Sequence, residues 1–362
     1  MIVPLPSDTP ALLDRLREIR AAGRVPLVGD ARWPAAPWDS LVAAAQATPP
    51  EDVAWATLTS GSSGPARIVL RSASSWEESF PIVSRLLDAG PDDAVALPAP
   101  ASASLTLFSL AHALSGGPRP LIGPAAGSGA TCFHGTPQAL RALLEHDAPS
   151  SVRTALVGGS HMDPDLRDRA HDAGIRVVAY YGAAELSFVA IDEGDGLRPF
   201  PGVEINIRCG ELWVRSPFVA RGYLGGSGPL RHDGDWATVG DRAELVDGCL
   251  RLLGRADDAI LTASATIVPE EVEAVLRSVP GVRDAIVFGW PREPVGALVA
   301  AFVDASDACI DALRHASRTH LAPAHRPRRW FAGELPRTAS GKPARAEAVR
   351  RALAGEVTRL DV

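Results

Sequence analysis

From residue 53 onward the chain alternates short apolar runs with helical ones, and this alternation limits its fold more than any other feature. "DVAWATL" (52–58) and "AVALP" (94–98) read as strands, and residues 103–115 as a helix. "PQALRALLEH" (137–146) is helical, and "VRTALVGG" (152–159) is a buried strand. "DPDLRDRAHDAG" (163–174) has Asp163 as N-cap, Pro164 in the first turn and Gly174 as the stop, and "IRVVAYYG" (175–182) is a strand again. Strands that are apolar along their whole length need cover on both faces. The reading is therefore an α/β body of mostly parallel sheets covered by helices.

After Pro199 the texture changes. "VEINIRCGELWVRS" (203–216) and "RAELVDGCLRLLGR" (242–255) alternate apolar and polar residues around turns, one of them Asp247-Gly248. That is hairpin chemistry and implies an antiparallel β region. From Asp257 it changes again. A helix over 269–278, strands over 282–289 and 297–304, and a helix near 307–320 predict a small α+β C-terminal domain. The boundary falls near Gly254-Arg255-Ala256-Asp257, the best hinge candidate.

Composition excludes several functions. Residues 94–118 carry no Asp, Glu, Lys or Arg, but Pro98 and Pro100 interrupt them and Ala and Ser dominate. They read as a buried strand, loop and helix rather than a membrane span. A net charge of −7 argues against a nucleic-acid-binding surface. The four cysteines form no CxxC pair, which argues against a zinc knuckle or dithiol motif. The N-terminus lacks the basic start and apolar stretch of a signal peptide, so a cytoplasmic location is the default expectation. Residues 314–351 hold ten basic and two acidic side chains, which suits either a solvated face or a phosphorylated partner.

The first strand runs into Thr59-Ser60-Gly61-Ser62-Ser63-Gly64. Hydroxyls and bare backbone N–H groups in such a loop can wrap an anion where side chains would block it. It is not a Walker loop, since Gly-Lys-Ser/Thr is missing at the required spacing. A second anomaly is the basic inventory: Lys plus Arg totals 36, and Lys342 is the only lysine. A compact, mobile ammonium suits work that a planar guanidinium does not.

These features, with four more in order, resemble the acyl-adenylate-forming superfamily: acyl-CoA synthetases, adenylation domains of peptide synthetases, and luciferases. The loop "TSGSSGPARIV" is similar to its phosphate loop, with Arg67 in place of the usual lysine. Gly158-Gly159-Ser160 resembles the glycine pair beside adenine, and Tyr181-Gly182-Ala183-Ala184-Glu185 the Y-G-x-T-E motif. Val239-Gly240-Asp241 and Gly254-Arg255-Ala256-Asp257-Asp258 resemble T-G-D and G-R-x-D-D. "LPRTASGKPAR" is similar to P-x-T-x-S-G-K-x-x-R, which puts Lys342 at the catalytic lysine.

The resemblance implies a body over residues 1–256, a mobile cap over 257–362 that carries Lys342, Asp257 as the hinge between them, and roles for the motif residues. Tyr181 stacks on adenine, Glu185 ligates Mg²⁺, and Asp241 and Arg255 hold the ribose hydroxyls. The implied reaction joins a small carboxylic acid to ATP as acyl-AMP, releases pyrophosphate, and then transfers the acyl group to CoA. Attack by an already ionised carboxylate needs no general base. The difficulty is anion repulsion, which the loop, Arg67, Lys342 and Mg²⁺ on Glu185 would offset. The layout most resembles short o-succinylbenzoate–CoA ligases of menaquinone synthesis, on the patterns around "GRADDAI" and "TIVPEEVEAVL".

The sequence also departs from the superfamily pattern. Ala184 replaces the threonine of Y-G-x-T-E. "LPAPASAS" lacks the histidine or aromatic that many relatives place beside the acyl group. Ala263 and Ser264 stand where glycines line the thiol tunnel, adding bulk there. Two other readings stay open: transfer to a carrier-protein pantetheine or an amine, and a degenerate relative that binds nucleotide without turnover.

Overall fold

The computed structural model describes residues 1–30, 35–59, 67–123, 129–145, 151–159, 162–226, 228–255, 260–261, 266–267, 269–292, 297–305, 310–338 and 341–360. Two large sheets dominate the body. The first runs, in spatial order, Ile2–Pro6, Val25–Gly29, Val53–Leu58, Ile68–Ser72 and Gly222–Tyr223. Its first three strands run parallel, the fourth runs antiparallel to them, and the fifth runs antiparallel to the fourth. The second has seven strands among the described residues. Arg119–Ile122, Ala94–Leu97, Cys132–Gly135, Thr154–Gly158 and Arg176–Ala183 are parallel, and Ser187–Asp192 and Arg198–Pro199 close it antiparallel.

The helix of the uncharged stretch lies between the sheets. Helix Ser104–Leu114 packs on Val53–Leu58 of one sheet and Cys132–Gly135 of the other, with residues Thr106 to His112 buried. Squeezed from both sides, it has no face that can carry a charge. Aromatic contacts bind the layers in a chain: Trp55–Trp76, Trp76–Phe108, Phe108–Phe188, Phe188–Phe200 and Phe200–Phe218, with centroids 5.0–5.7 Å apart. No helix among the described residues is long and apolar enough to cross a membrane.

The local signals act as their chemistry dictates. Asp163 accepts from the Asp165 N–H at 3.0 Å and caps helix Pro164–Asp172, and Gly174 follows at φ +77°. Asp247 and Gly248 both have positive φ, as the two-residue turn between Asp241–Val246 and Cys249–Arg255 requires. Those strands join Glu204–Arg208, Glu211–Arg215, Arg231–Asp233 and Trp236–Thr238 in an antiparallel sheet.

The C-terminal region has its own sheet and core. Val282–Pro291, Ala297–Ala305, Arg329–Ala332 and Thr358–Arg359 form a four-stranded sheet. Helices Pro269–Arg277 and Ile310–His320 pack on it through Val272, Leu276 and Leu313, and helix Arg345–Leu353 through Ala348 and Ala352.

Candidate active site

The Ser/Gly loop leaves the sheet between Val53–Leu58 and Ile68–Ser72. Ser60, Gly61, Ser62, Ser63 and Gly64 lie outside the described residues, but the loop's mouth is defined. Thr59 N–H donates to the Arg67 carbonyl at 3.0 Å, and Arg67 N–H donates to Thr59 Oγ1 at 2.9 Å. The Arg67 side chain is exposed. Its charge reaches Tyr223.

At the ends of the parallel strands the glycines make room. A Cβ on Gly158 would stand 2.2 Å from the Tyr180 ring. Gly159 has φ +92°, and a Cβ there would stand 2.7 Å from Lys342 Cε. Gly182 lets the Ser187 carbonyl approach to where a Cβ would meet it at 2.1 Å. Ser160 lies outside the described residues.

The Tyr181 hydroxyl donates to Asp241 Oδ2, which ties the parallel sheet to the antiparallel one. Arg255 pairs opposite Asp241 in the antiparallel register, so these two motif residues meet across one ladder. The Arg255 side chain lies outside the described residues. Glu185 is only 6% exposed, and its Oε1 accepts from the Tyr223 hydroxyl at 2.7 Å. Tyr223 in turn accepts from the Leu230 N–H at 3.2 Å. Burial, followed by the Glu185 charge, pushes the Tyr223 phenol up, so it stays a donor.

Beneath Glu185 lies a wholly buried arginine. Arg71 donates to the Ala184 carbonyl through Nε (3.1 Å) and Nη2 (2.7 Å), and to the Phe218 carbonyl through Nη1 (2.8 Å). Burial pushes its guanidinium down to about 9, against the opposing pull of Glu185. The backbone on which Glu185 rides is thus pinned from inside. Ala184, which lacks a threonine hydroxyl, is held through its carbonyl.

Lys342 comes to this site from the C-terminal region. Thr338 N–H donates to the Lys342 carbonyl at 2.7 Å, Ala344 N–H to the Pro336 carbonyl at 2.8 Å, and Arg337 bridges Pro343. The loop turns at Gly341, φ +84°, where a Cβ would stand 3.0 Å from Thr136 Oγ1 of the body. Burial pushes the Lys342 ammonium down, while Glu185 and then Asp241 pull it up. The Lys342 charge is thus favoured by two carboxylates that belong to different parts of the body. Asp257, Ala263 and Ser264 lie outside the described residues.

Sequence reasoning passed over Arg71, Tyr223 and Thr136. Arg71 and Tyr223 sit outside any recognisable motif, and a buried arginine looks like any other in a chain whose cations are nearly all arginine. Thr136 precedes Pro137, the first residue of helix Pro137–Glu145, and reads as a helix start.

Two mostly parallel sheets, an antiparallel region and a separate C-terminal domain are the architecture of the adenylate-forming enzymes. The chain belongs to the AMP-binding enzyme family: the family profile matches residues 8–224, and that of the AMP-binding enzyme C-terminal domain matches residues 271–342. It is 33% identical over 311 residues to the 2-succinylbenzoate–CoA ligase of Salmonella typhimurium, covering 81% of this chain and 67% of that protein. It is 36% identical over 231 residues to the probable 2-succinylbenzoate–CoA ligase of Mycobacterium tuberculosis, covering 61% and 57%. The structure of an Escherichia coli MenE variant with bound OSB-AMS superposes with a TM-score of 0.83 at 24% identity, over 97% of this chain and 87% of that one.

Proposed function

We infer that this chain activates a carboxylic acid with ATP, releasing pyrophosphate, and passes the acyl group to CoA, and that the acid is 2-succinylbenzoate. The observation that carries the reading is Lys342, the chain's only lysine, set over Gly159 within electrostatic reach of Glu185 and Asp241. The names of the Salmonella and Mycobacterium relatives supply the acid.

The residue roles are those implied by the family resemblance. Asp241 and Arg255, paired across one ladder, are assigned to the ribose hydroxyls, and Tyr181, held by Asp241, offers its ring to adenine. Gly158, Gly159 and Ser160 are assigned to the border of the adenine site. Thr59, Ser60, Gly61, Ser62, Ser63 and Gly64 wrap the phosphates, with Arg67 at their mouth. Lys342 meets the charge that builds as pyrophosphate departs.

Mg²⁺ suits the donors present. The described residues contain no group of three or more metal-ligating side chains, and Glu185 offers one buried carboxylate. Mg²⁺ is usually held by one or two carboxylates plus substrate phosphates. Bound there it would offset phosphate charge. CoA suits a recess of about 320 Å³ in the C-terminal region, lined by Arg314, Arg318, Arg326 and Arg328. Such a cluster matches the phosphates at the nucleotide end of CoA. Residues 257–362 act as the unit that moves about Asp257 between the two steps.

The test is incubation of the chain with 2-succinylbenzoate, ATP, Mg²⁺ and CoA. Release of pyrophosphate with appearance of 2-succinylbenzoyl-CoA supports the reading. Pyrophosphate with other acids but not this one would discard the substrate and keep the reaction.

A further inference from the structure

The loop that carries Lys342 is gripped on both flanks by buried charge. On the upstream flank, Arg337 Nη1 lies 3.3 Å from Asp284 Oδ2, and its Nη2 lies 3.7 Å from Asp304 Oδ2. The same Nη1 also donates to the Gly341 carbonyl at 3.2 Å, so the ion pair is joined to the residue next to the lysine. On the downstream flank, Arg345 Nη2 lies 2.7 Å from Glu273 Oε1, and Nη1 donates to the Val287 carbonyl at 2.6 Å. Glu273 Oε1 also accepts the Val287 N–H at 2.8 Å. Arg277 lies 3.6 Å from both Glu273 and Asp284 and connects the two flanks.

Glu270, Glu273, Asp284 and Asp304 on one side and Arg277, Arg283, Arg337 and Arg345 on the other form a balanced set, with Glu270 3.5 Å from Arg345 and Arg283 paired to Asp304. The Glu273 and Asp304 side chains are 5% and 6% exposed. Buried ion pairs are weak stabilisers against apolar side chains of the same volume, so stability alone is a poor reason to build this one. What it does is fix geometry. Val287 has both its N–H and its carbonyl engaged by side chains, and one of these, Arg345, begins the helix three residues after Lys342. A guanidinium fork can hold a carbonyl and a carboxylate together, and an ammonium holds one direction at a time.

We propose that Glu273 and Asp284 are positioning residues for adenylation. Through Arg345 and Arg337 they hold the residues flanking Lys342 so that it reaches the body's site already ordered. The proposal rests on the reading of Lys342 as the adenylation lysine.

A double-mutant cycle tests it. Pyrophosphate release is measured with ATP and 2-succinylbenzoate for the parent, E273Q, K342A and E273Q/K342A. Glutamine keeps the shape and an acceptor for Val287 but removes the charge. E273Q lowers kcat at least about tenfold with KM for ATP within about twofold. In the K342A background the same substitution changes the residual rate by less than about twofold, because there is no lysine left to misplace. D284N behaves the same way from the other flank, and it carries the test if E273Q has no cooperative thermal transition. R345K, which keeps the charge but loses the fork, follows E273Q.

An equal loss from E273Q in both backgrounds would overturn the proposal, since a general structural role costs the same with or without Lys342. An unchanged kcat in E273Q overturns it too. A parental rate in K342A alone refutes the lysine assignment, and with it the positioning claim, and is separate from additivity.

Discussion

Gly159 of the body and Lys342 of the C-terminal region approach so closely that a β-carbon at residue 159 would stand 2.7 Å from Lys342 Cε. Gly159 also has φ +92°, which a residue with a side chain adopts only under strain. Gly159→Ala is therefore expected to cost about 1 kcal/mol in stability and, separately, to slow pyrophosphate release at least about tenfold. The check is to compare its rate and urea midpoint with those of Gly174→Ala, a helix stop at φ +77° with open space around it. Equal losses of rate in the two variants would show that backbone strain, and not displacement of Lys342, is responsible.

Tyr223 orients Glu185. Tyr223→Phe removes the 2.7 Å bond to a buried carboxylate and leaves the Leu230 N–H without that acceptor. Hydrogen bonds to charged groups contribute about 1.5–3 kcal/mol, roughly ten- to a hundredfold. The Mg²⁺ concentration that half-saturates adenylation should rise severalfold, with kcat/KM for ATP falling. A parental Mg²⁺ titration curve would detach Tyr223 from the site.

Arg71 carries more of the body's stability than its invisibility in the sequence suggests. Arg71→Met leaves the Ala184 and Phe218 carbonyls buried without their donor. Each such group costs about 1–3 kcal/mol, so a loss of roughly 3 kcal/mol is expected in urea unfolding. Arg71→Lys should restore little of it, because one ammonium does not span carbonyls on two segments. A loss below about 0.5 kcal/mol in Arg71→Met would show that water or rearrangement replaces the guanidinium.

The parallel body was legible because its strands are apolar on both faces and its helix ends carry explicit caps, as at Asp163 and Gly174. The antiparallel region was legible from Asp247-Gly248. The first strands and helix of the body, Ile2–Pro6, Leu12–Ala21 and Val25–Gly29, were not read. The polar residues of that helix alternate with a narrow buried stripe of Leu12, Leu16 and Ile19, and the strands carry three prolines. The short strand Gly222–Tyr223 was illegible for a different reason: two residues show no period, and the pairing with Ile68–Ser72 is made by tertiary contact. The same holds for the charge set around Lys342. Its members lie as far apart as Glu273 and Arg345, and nothing local marks them as partners.

Two buried histidines set an acid limit. His134 bonds Ser109 Oγ through Nδ1 at 2.7 Å and the Tyr180 hydroxyl through Nε2 at 3.0 Å, and His112 bonds Ser84 Oγ at 2.9 Å. Burial pushes His134 down to about 3, with His112 adding to the shift, and pushes His112 down to about 4. Both fold neutral, whereas the unfolded chain takes up protons near pH 6.5. The stability they contribute is complete above about pH 6.5 and is lost as pH falls toward 4, at about 1.4 kcal/mol per pH unit for each ring. His112→Gln should flatten that slope by about half in urea titrations between pH 6.5 and 4.5. An unchanged slope in this variant would show that His112 is not one of the groups taking up a proton.

On this reading the Lys342 ammonium supplies the largest single share of the electrostatic stabilisation in adenylation. Single-turnover formation of acyl-AMP from ATP and 2-succinylbenzoate, in the parent chain and in Lys342→Ala, tests it most directly. A fall of at least about a hundredfold, roughly 2.7 kcal/mol of transition-state stabilisation, is expected, with ATP affinity far less affected. Acyl-AMP formed by the variant at the parental rate would contradict it.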